Sequence, residues 1–209
     1  MWAIVVAAGR GERFGGPKQR ELIDGRSVVD RSVSTAREAC DGVVVVLPPG
    51  DTAPVSDADA TVAGGATRSA SVRAGLAAVP AAADVVVVHD AARPLATVQM
   101  WRAAIEAVRN GADAALCAVP VTDTIKRVHG ERVVETLDRT ELVAVQTPQA
   151  FRAAALRAAH GREPDATDDG ALVELAGGKV VVVDGSPANI KITHPHDLRV
   201  AATLLAALS

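Results

Sequence analysis

Glycines, cations and one acid stand in this chain at spacings that suit phosphate chemistry. The run Ala7-Ala8-Gly9-Arg10-Gly11-Glu12-Arg13-Phe14-Gly15-Gly16-Pro17-Lys18-Gln19 directly follows a β-branched segment. Glycines there let backbone N–H groups approach phosphate oxygens, and Arg13 and Lys18 add two cations a few residues apart. Two familiar phosphate loops do not fit. A dinucleotide fingerprint wants a third glycine where Phe14 stands, and a P-loop wants Gly-Lys-Ser/Thr where the chain has Pro17-Lys18-Gln19. A triphosphate whose charge grows during attack at phosphorus suits the loop better.

A second segment, His89-Asp90-Ala91-Ala92-Arg93-Pro94, ends the apolar run Val85-Val86-Val87-Val88. At the C-terminal edge of an open α/β sheet, where ligands bind, Asp90 is placed to hold Mg²⁺ through one carboxylate. A turn or helix-cap role is the plainer alternative. Arg93 reads either as a phosphate contact or as a partner that orients Asp90. A third segment, Asn189-Ile190-Lys191-Ile192-Thr193-His194-Pro195-His196, places Lys191 between the last strand and the last helix. Lysine is scarce, with only Lys18, Lys126, Lys179 and Lys191 in the chain, so two of them at such loops are informative. His194 and His196 flank a proline at a helix start and read as solvated residues rather than metal ligands. Gly64-Gly65-Ala66-Thr67-Arg68-Ser69-Ala70-Ser71 is a glycine turn entering a helix, suited to base and ribose contacts through the backbone and Ser71. Thr167-Asp168-Asp169 reads as a capped helix start whose acids could support the metal region.

These loops need a scaffold, and the hydrophobic pattern supplies one. Strands are expected at 2–7, 42–47, 84–89, 112–119 and 179–184, with helices at 27–40, 68–78, 97–110, 152–159, 168–176 and 196–208. The valine runs 43–46 and 85–88 show no polar alternation, as in central strands covered on both faces. Alternation of strand and helix implies an α/β, doubly wound, mostly parallel sheet. Residues 50–60 are polar and read as a surface connection. Between Pro120 and Gln149 the pattern breaks: 125–128 and 132–137 flank His129-Gly130 and read as a β-hairpin, too charged for a core strand. A single domain over 1–209 is expected, with this arm inserted at about 121–142.

Composition excludes other classes. Net charge is −3, aromatic residues are 2% and tyrosine is absent, so neither a cationic field nor stacking platforms exist for nucleic acid. Hydrophobic residues at 49% and charged residues at 22% are an ordinary globular balance. Cys40 and Cys117 lack metal or disulfide spacing, and Cys117 reads as a small buried hydrophobe. The N-terminus starts on a strand without a signal-like region, and no apolar stretch is long enough to span a membrane, so a cytoplasmic protein is expected.

In order and spacing, these segments resemble the 2-C-methyl-D-erythritol 4-phosphate cytidylyltransferase family of the non-mevalonate isoprenoid pathway. The likeness runs through Ala7-Ala8-Gly9-x-Gly11-x-Arg13, Pro17-Lys18-Gln19, Gly64-Gly65-x-x-Arg68-x-x-Ser71-Val72 and His89 to Pro94. It continues through Pro120-Val121-x-Asp123-Thr124-x-Lys126, Asp138-Arg139, Thr147-Pro148-Gln149, Thr167-Asp168 and Asn189-Ile190-Lys191. The resemblance implies a Rossmann-like nucleotidyltransferase that moves CMP from CTP to 2-C-methyl-D-erythritol 4-phosphate and releases pyrophosphate. It implies that Ala7, Ala8, Gly9, Gly11, Gly65 and Ser71 hold the nucleotide, and that Arg13, Lys18 and Lys191 are the catalytic cations. Asp90 would be associated with Mg²⁺, and Asp90, Arg93, Thr124 and Arg139 with the sugar phosphate. Thr124 and Arg139 would reach it from the second subunit of a homodimer formed through the arm. The chain departs from the pattern at Arg20, where an aromatic or apolar residue is usual, and at Ala66, where some members carry an acid. Transfer to another polyol phosphate such as ribitol 5-phosphate is the nearest rival. A non-catalytic sugar-nucleotide-binding protein is a second, and a nicotinamide-dependent reductase is disfavoured by Phe14 and the lack of tyrosine.

Overall fold

A computed structural model describes residues 1–161, 165–166 and 168–208. The chain begins with β1 (Trp2–Val6), then a tiny hairpin of β2 (Leu22–Ile23) and β3 (Arg26–Ser27) leads into α1 (Val28–Ala39). β4 (Gly42–Leu47), β5 (Ala60–Ala63), α2 (Arg68–Ala78), β6 (Val85–Asp90), α3 (Val98–Arg109) and β7 (Ala114–Pro120) follow. β8 (Lys126–His129) and β9 (Arg132–Thr136) come next, then β10 (Val143–Arg152), α4 (Ala153–His160), α5 (Asp169–Leu175), β11 (Val180–Asp184) and α6 (His196–Leu208).

Seven strands form one sheet in the order β11-β7-β10-β6-β1-β4-β5. All pairs are parallel except those of β10, which runs antiparallel between β6 and β7. The period of two along each strand splits the core. Val43 and Val45 pack with α1 and α3 on one face, while Val44 and Val46 pack with α2, α4 and α5 on the other. α1 shows how the sequence sets this: Ser27 caps its start by accepting from the Asp30 N–H at 3.1 Å, and Val29, Val33 and Ala36 line its buried side. From β1 the chain winds outward to β4 and β5, then returns to β6 on the other side of β1 and winds the opposite way. The switch point between β1 and β6 therefore opens a crevice at their C-terminal ends.

The expected strands and helices form, with ends shifted by a residue or two, but four strands were not expected: the two-residue β2 and β3, and β5 and β10 of the main sheet. β5 is a four-residue edge strand that begins at Ala60, where only a connection was read. β10 lies in the middle of the sheet although Gln146, Pro148 and Gln149 interrupt its apolar pattern. Its register with β7 shifts between Val145 and Gln149, so Pro148 sits where the ladder is already irregular and needs no N–H. The polar stretch before β5 is tied down by Arg20, which donates to Asp51 Oδ1 at 2.8 Å and to the Ala53 carbonyl at 2.9 Å. That contact gives the unusual residue after Pro-Lys-Gln a structural purpose. β8 and β9 pair with each other alone, and all their residues are exposed.

α2 lies unusually close to the sheet. A Cβ on its Gly75 would come within 2.5 Å of Ile4 Cγ2 and 2.9 Å of Val46 Cγ2. Alanine is favoured over glycine within a helix by about 1 kcal/mol, but overpacking a tight core costs about 1–3 kcal/mol. Gly75→Ala should therefore lower the urea midpoint of unfolding. A raised midpoint would show that α2 is free to move outward.

Candidate active site

The crevice between β1 and β6 is a cleft of about 630 Å³. It is lined by the glycine loop from Ala7 to Phe14, by Lys18, by Gly65 to Arg68 and Ser71, and by Asp90, Lys191 and Thr193. Ala7, Ala8, Gly9, Gly11, Arg13, Lys18, Gly65, Ser71, Asp90 and Lys191, all expected at the site, thus meet in one place.

The loop folds around a single carbonyl. Gly11 accepts from the N–H groups of Phe14 and Gly15, both at 2.8 Å, and of Gly16 at 3.3 Å. Gly11 has φ +67°, and a Cβ there would lie 1.9 Å from the Gly16 oxygen, so only glycine permits the turn. The second wall depends on Ser71. Its hydroxyl donates to the Thr67 carbonyl at 2.9 Å and accepts from the Gly65 N–H at 3.2 Å, so it shapes the glycine turn as well as lining the cleft.

Asp90 is the centre of the charge arrangement. Its side chain is largely buried, with Arg68 Nε 3.2 Å from Oδ1 and Lys191 Nζ 2.5 Å from Oδ2. Burial alone would raise its pKa, but Arg68 and Lys191 outweigh this and hold the carboxyl well below the usual range. Burial likewise opposes the charge on Arg68, and Asp90 and Asp169 more than offset it, leaving the guanidinium above its ordinary value. Lys18 is half-buried and donates to the Ile192 carbonyl at 2.7 Å. Burial first, then the like charges of Lys191 and Arg13, push its pKa down. The cleft is thus a place where cations crowd together.

The backbone of Asp90 is held from behind. The His89 ring is fully buried, tilted against Trp101 with centroids 5.0 Å apart. Its Nε2 faces the Arg93 carbonyl at 3.2 Å, an acceptor only, so Nε2 carries the proton. Nδ1 then accepts from the Thr147 hydroxyl at 3.1 Å, and the same hydroxyl accepts from the Asp90 N–H at 3.0 Å. Burial pushes the imidazole down to about 4, so it is neutral.

Other expected residues lie elsewhere. Arg93 neither lines the cleft nor bonds Asp90; its guanidinium donates to the Asn189 carbonyl at 2.7 Å, bracing the loop that carries Lys191. Thr124 and Arg139 lie outside the cleft lining and are exposed, with Arg139 donating to the Thr122 carbonyl. Thr167 is outside the described residues; Asp168 caps α5 by accepting from the Gly170 N–H at 2.8 Å. Asp169 faces Arg68 and His160, so it is linked to Asp90 through Arg68. Arg68 itself was not expected at the site. Its signal was present: a cation at the first residue of a helix opposes the helix dipole and needs a specific anionic partner. Among the described residues no cluster of three potential ligands could hold a metal alone. A single carboxylate fits Mg²⁺ that arrives with most of its ligands supplied by phosphate and water, provided that Lys191 gives way at Oδ2.

No His or Cys lines the cleft among the described residues, and the Ser71 hydroxyl is committed to the Thr67 carbonyl. A glycine loop and convergent cations at the switch point of a mostly parallel sheet make a cleft suited to a polyphosphate. The family model for IspD, 2-C-methyl-D-erythritol 4-phosphate cytidylyltransferase, matches residues 1–207. The cytidylyltransferase of that name from Streptomyces avermitilis is 43% identical over 98% of this chain and 91% of its own length. The bifunctional enzyme IspD/IspF of Anaeromyxobacter dehalogenans is 47% identical over 98% of this chain, which spans only 56% of that relative. The crystal structure of the Thermus thermophilus cytidylyltransferase superposes with a TM-score of 0.84 at 34% identity, covering 97% of this chain and 98% of the other. The chain belongs to the 2-C-methyl-D-erythritol 4-phosphate cytidylyltransferase family.

The buried imidazole has a consequence for stability. Between its folded pKa of about 4 and the ordinary 6.5, an unfolded chain takes up a proton that the native one excludes. Stability of the nucleotide-free protein should fall as pH drops through that window, by up to about 3 kcal/mol. The depressed Asp90 adds its own loss only lower, as pH falls through the ordinary carboxylate range. Urea midpoints between pH 6.5 and 4 should decline in the wild type and flatten in His89→Gln. A flat wild-type profile would contradict a neutral, buried His89.

Proposed function

We propose that this chain transfers the cytidylyl group of CTP to the phosphate of 2-C-methyl-D-erythritol 4-phosphate. A phosphate oxygen of the acceptor forms a bond to the α-phosphorus, the α–β bridging bond breaks, and its electron pair leaves on pyrophosphate. The nucleophile is already an anion, so the reaction needs no general base. The observation that carries this reading is that Lys18, Lys191 and Arg13 line one cleft together with the glycine loop. Their mutual repulsion is relieved by a polyphosphate, most of all when negative charge builds up during transfer. Ala7, Ala8, Gly9, Gly11, Gly65 and Ser71 would bound the nucleotide. Mg²⁺ held with Asp90 as its protein carboxylate would neutralise charge on the triphosphate. The free, buried Cys40 and Cys117 suit a reducing cytoplasm.

We also propose that the β8–β9 hairpin serves the site of a second copy. Val128 and Val133, paired across the hairpin near Thr124 and Arg139 in sequence, are both exposed, an apolar pair that a two-fold partner would cover. The hairpin leaves the sheet after β7 and returns into β10, at the same edge as the cleft.

Two experiments test these readings. Pyrophosphate release should be fastest with CTP and 2-C-methyl-D-erythritol 4-phosphate among a panel of polyol phosphates. Lys18→Ala should lower kcat by about a hundredfold or more while changing the KM for CTP far less. Faster release with ribitol 5-phosphate, or normal turnover by folded Lys18→Ala, would overturn the assignment. For the hairpin, Lys18→Ala and Arg139→Ala homodimers should each be nearly inactive. Co-expressed, they should recover about a quarter of all sites, because each heterodimer holds one site with both residues intact. Verified heterodimers without recovery would rule out action in trans.

A further inference from the structure

Charges alternate from the cleft into the protein interior. Lys191 meets Asp90 at 2.5 Å, Asp90 meets Arg68 at 3.2 Å, Arg68 meets Asp169 at 2.6 Å, and Asp169 meets His160 at 2.9 Å. Asp169 is 1% exposed and His160 4%, and neither lines the cleft. Such a pair, out of reach of any ligand, does no chemistry itself. Its effect has to pass through Arg68.

The geometry of Arg68 makes that effect specific. It is the first residue of α2, where the helix dipole disfavours a cation, so both of its carboxylate partners are needed to hold it there. Nε is directed at Asp90 and the terminal nitrogen NH1 at Asp169, which fixes the plane of the guanidinium. Asp169 is in turn oriented by His160 on its second oxygen, and as the first residue of α5 it sits where a helix favours an anion. The neighbouring residues hold the same two segments together. Thr67 donates to Asp165 at 2.6 Å, while Ser69 and Ala166 exchange two hydrogen bonds at 3.1 and 3.0 Å. Three consecutive residues at the start of α2 are thus gripped from outside the cleft.

We propose that Asp169, backed by His160, is a positioning residue for nucleotidyl transfer. It fixes the Arg68 guanidinium against Asp90 and so determines where Asp90 presents Lys191. The inference rests on the reaction assigned above. Asp169→Asn keeps the shape but removes the charge, and its amide can serve only one of Arg68 and His160 as an acceptor. The expected result is a loss of about ten- to a hundredfold in kcat, the scale of small misplacements far from the chemistry, with the KM for CTP changed by less than about threefold. In an Asp90→Asn background the same substitution should cause no further loss, because both act through one interaction. Losses that multiply would mean that Asp169 merely supports the fold, and would overturn the proposal. If Asp169→Asn does not fold, His160→Gln and His160→Leu replace it. Glutamine retains a donor to Asp169 and should keep more turnover than leucine; equal activity of the two would sink the idea. The ¹⁵N NMR signal of Arg68 Nε–H, identified by its disappearance in Arg68→Lys, gives a readout without turnover. It should be protected from exchange in the wild type and lose that protection in Asp169→Asn. Wild-type protein that releases no pyrophosphate would defeat the assigned reaction, whereas an Arg68 signal unmoved by Asp169→Asn would defeat the positioning role.

Discussion

A full negative charge is fixed at the end of β6, the central strand of the seven, almost out of water. An isolated buried carboxylate is costly, so Asp90 can exist as an anion only where cations and donors surround it. Three parts of the chain meet that requirement. α2 brings Arg68, the loop after β11 brings Lys191, and β10 brings the Thr147 hydroxyl to the Asp90 backbone. Removing Thr147 leaves the buried Asp90 N–H without a partner, and removing either cation leaves the carboxylate with a single charge partner. The doubly wound order is what brings the three to one edge of the sheet, so the charge constrains the topology as much as the topology positions the charge.

The two cation-bearing loops also share a foundation. Phe14 of the glycine loop and Ile190 and Ile192 beside Lys191 join a small apolar cluster with Ile23, Leu95 and α6, separate from the two larger cores. Lys18 donates to the Ile192 carbonyl, and the Ile192 N–H donates to the carbonyl of Ala92, just beyond the Asp90 strand end. A displacement of either loop is therefore carried to the other and to Asp90. The spacing of the cations is set by this cluster together with the end of β6.

Much of this was legible in the residues. Valine runs mark β4 and β6 because a strand buried on both faces needs no polar alternation, and glycines mark the turns because Gly11 has no room for a side chain. Asp90, Lys18 and Lys191 could be singled out because each stands next to a strand end or a glycine turn. β10 was hidden because its buried polar residues serve partners across the sheet: Gln146 bonds Ser186, and Thr147 bonds His89. The pairing of Arg68 with Asp169 was hidden for the same reason, since it spans 101 positions of sequence and no local pattern records that distance, although each residue carried a local signal of its own. Arg93 shows the limit of motif reading in another way: its motif marks it as chemically interesting, but only the structure shows that its guanidinium donates to the Asn189 carbonyl.

The packing of one ring gives the molecule a built-in optical probe. The chain has two tryptophans and no tyrosine, so its ultraviolet emission comes almost wholly from Trp2 and Trp101. Trp2 lies over Gly42 beside the far end of the sheet, whereas Trp101 is fully buried against the imidazole next to Asp90. Indole fluorescence is quenched by a nearby imidazolium and much less by a neutral ring. The intensity of Trp101 thus reports the protonation and position of His89, and through it any strain placed on the strand end.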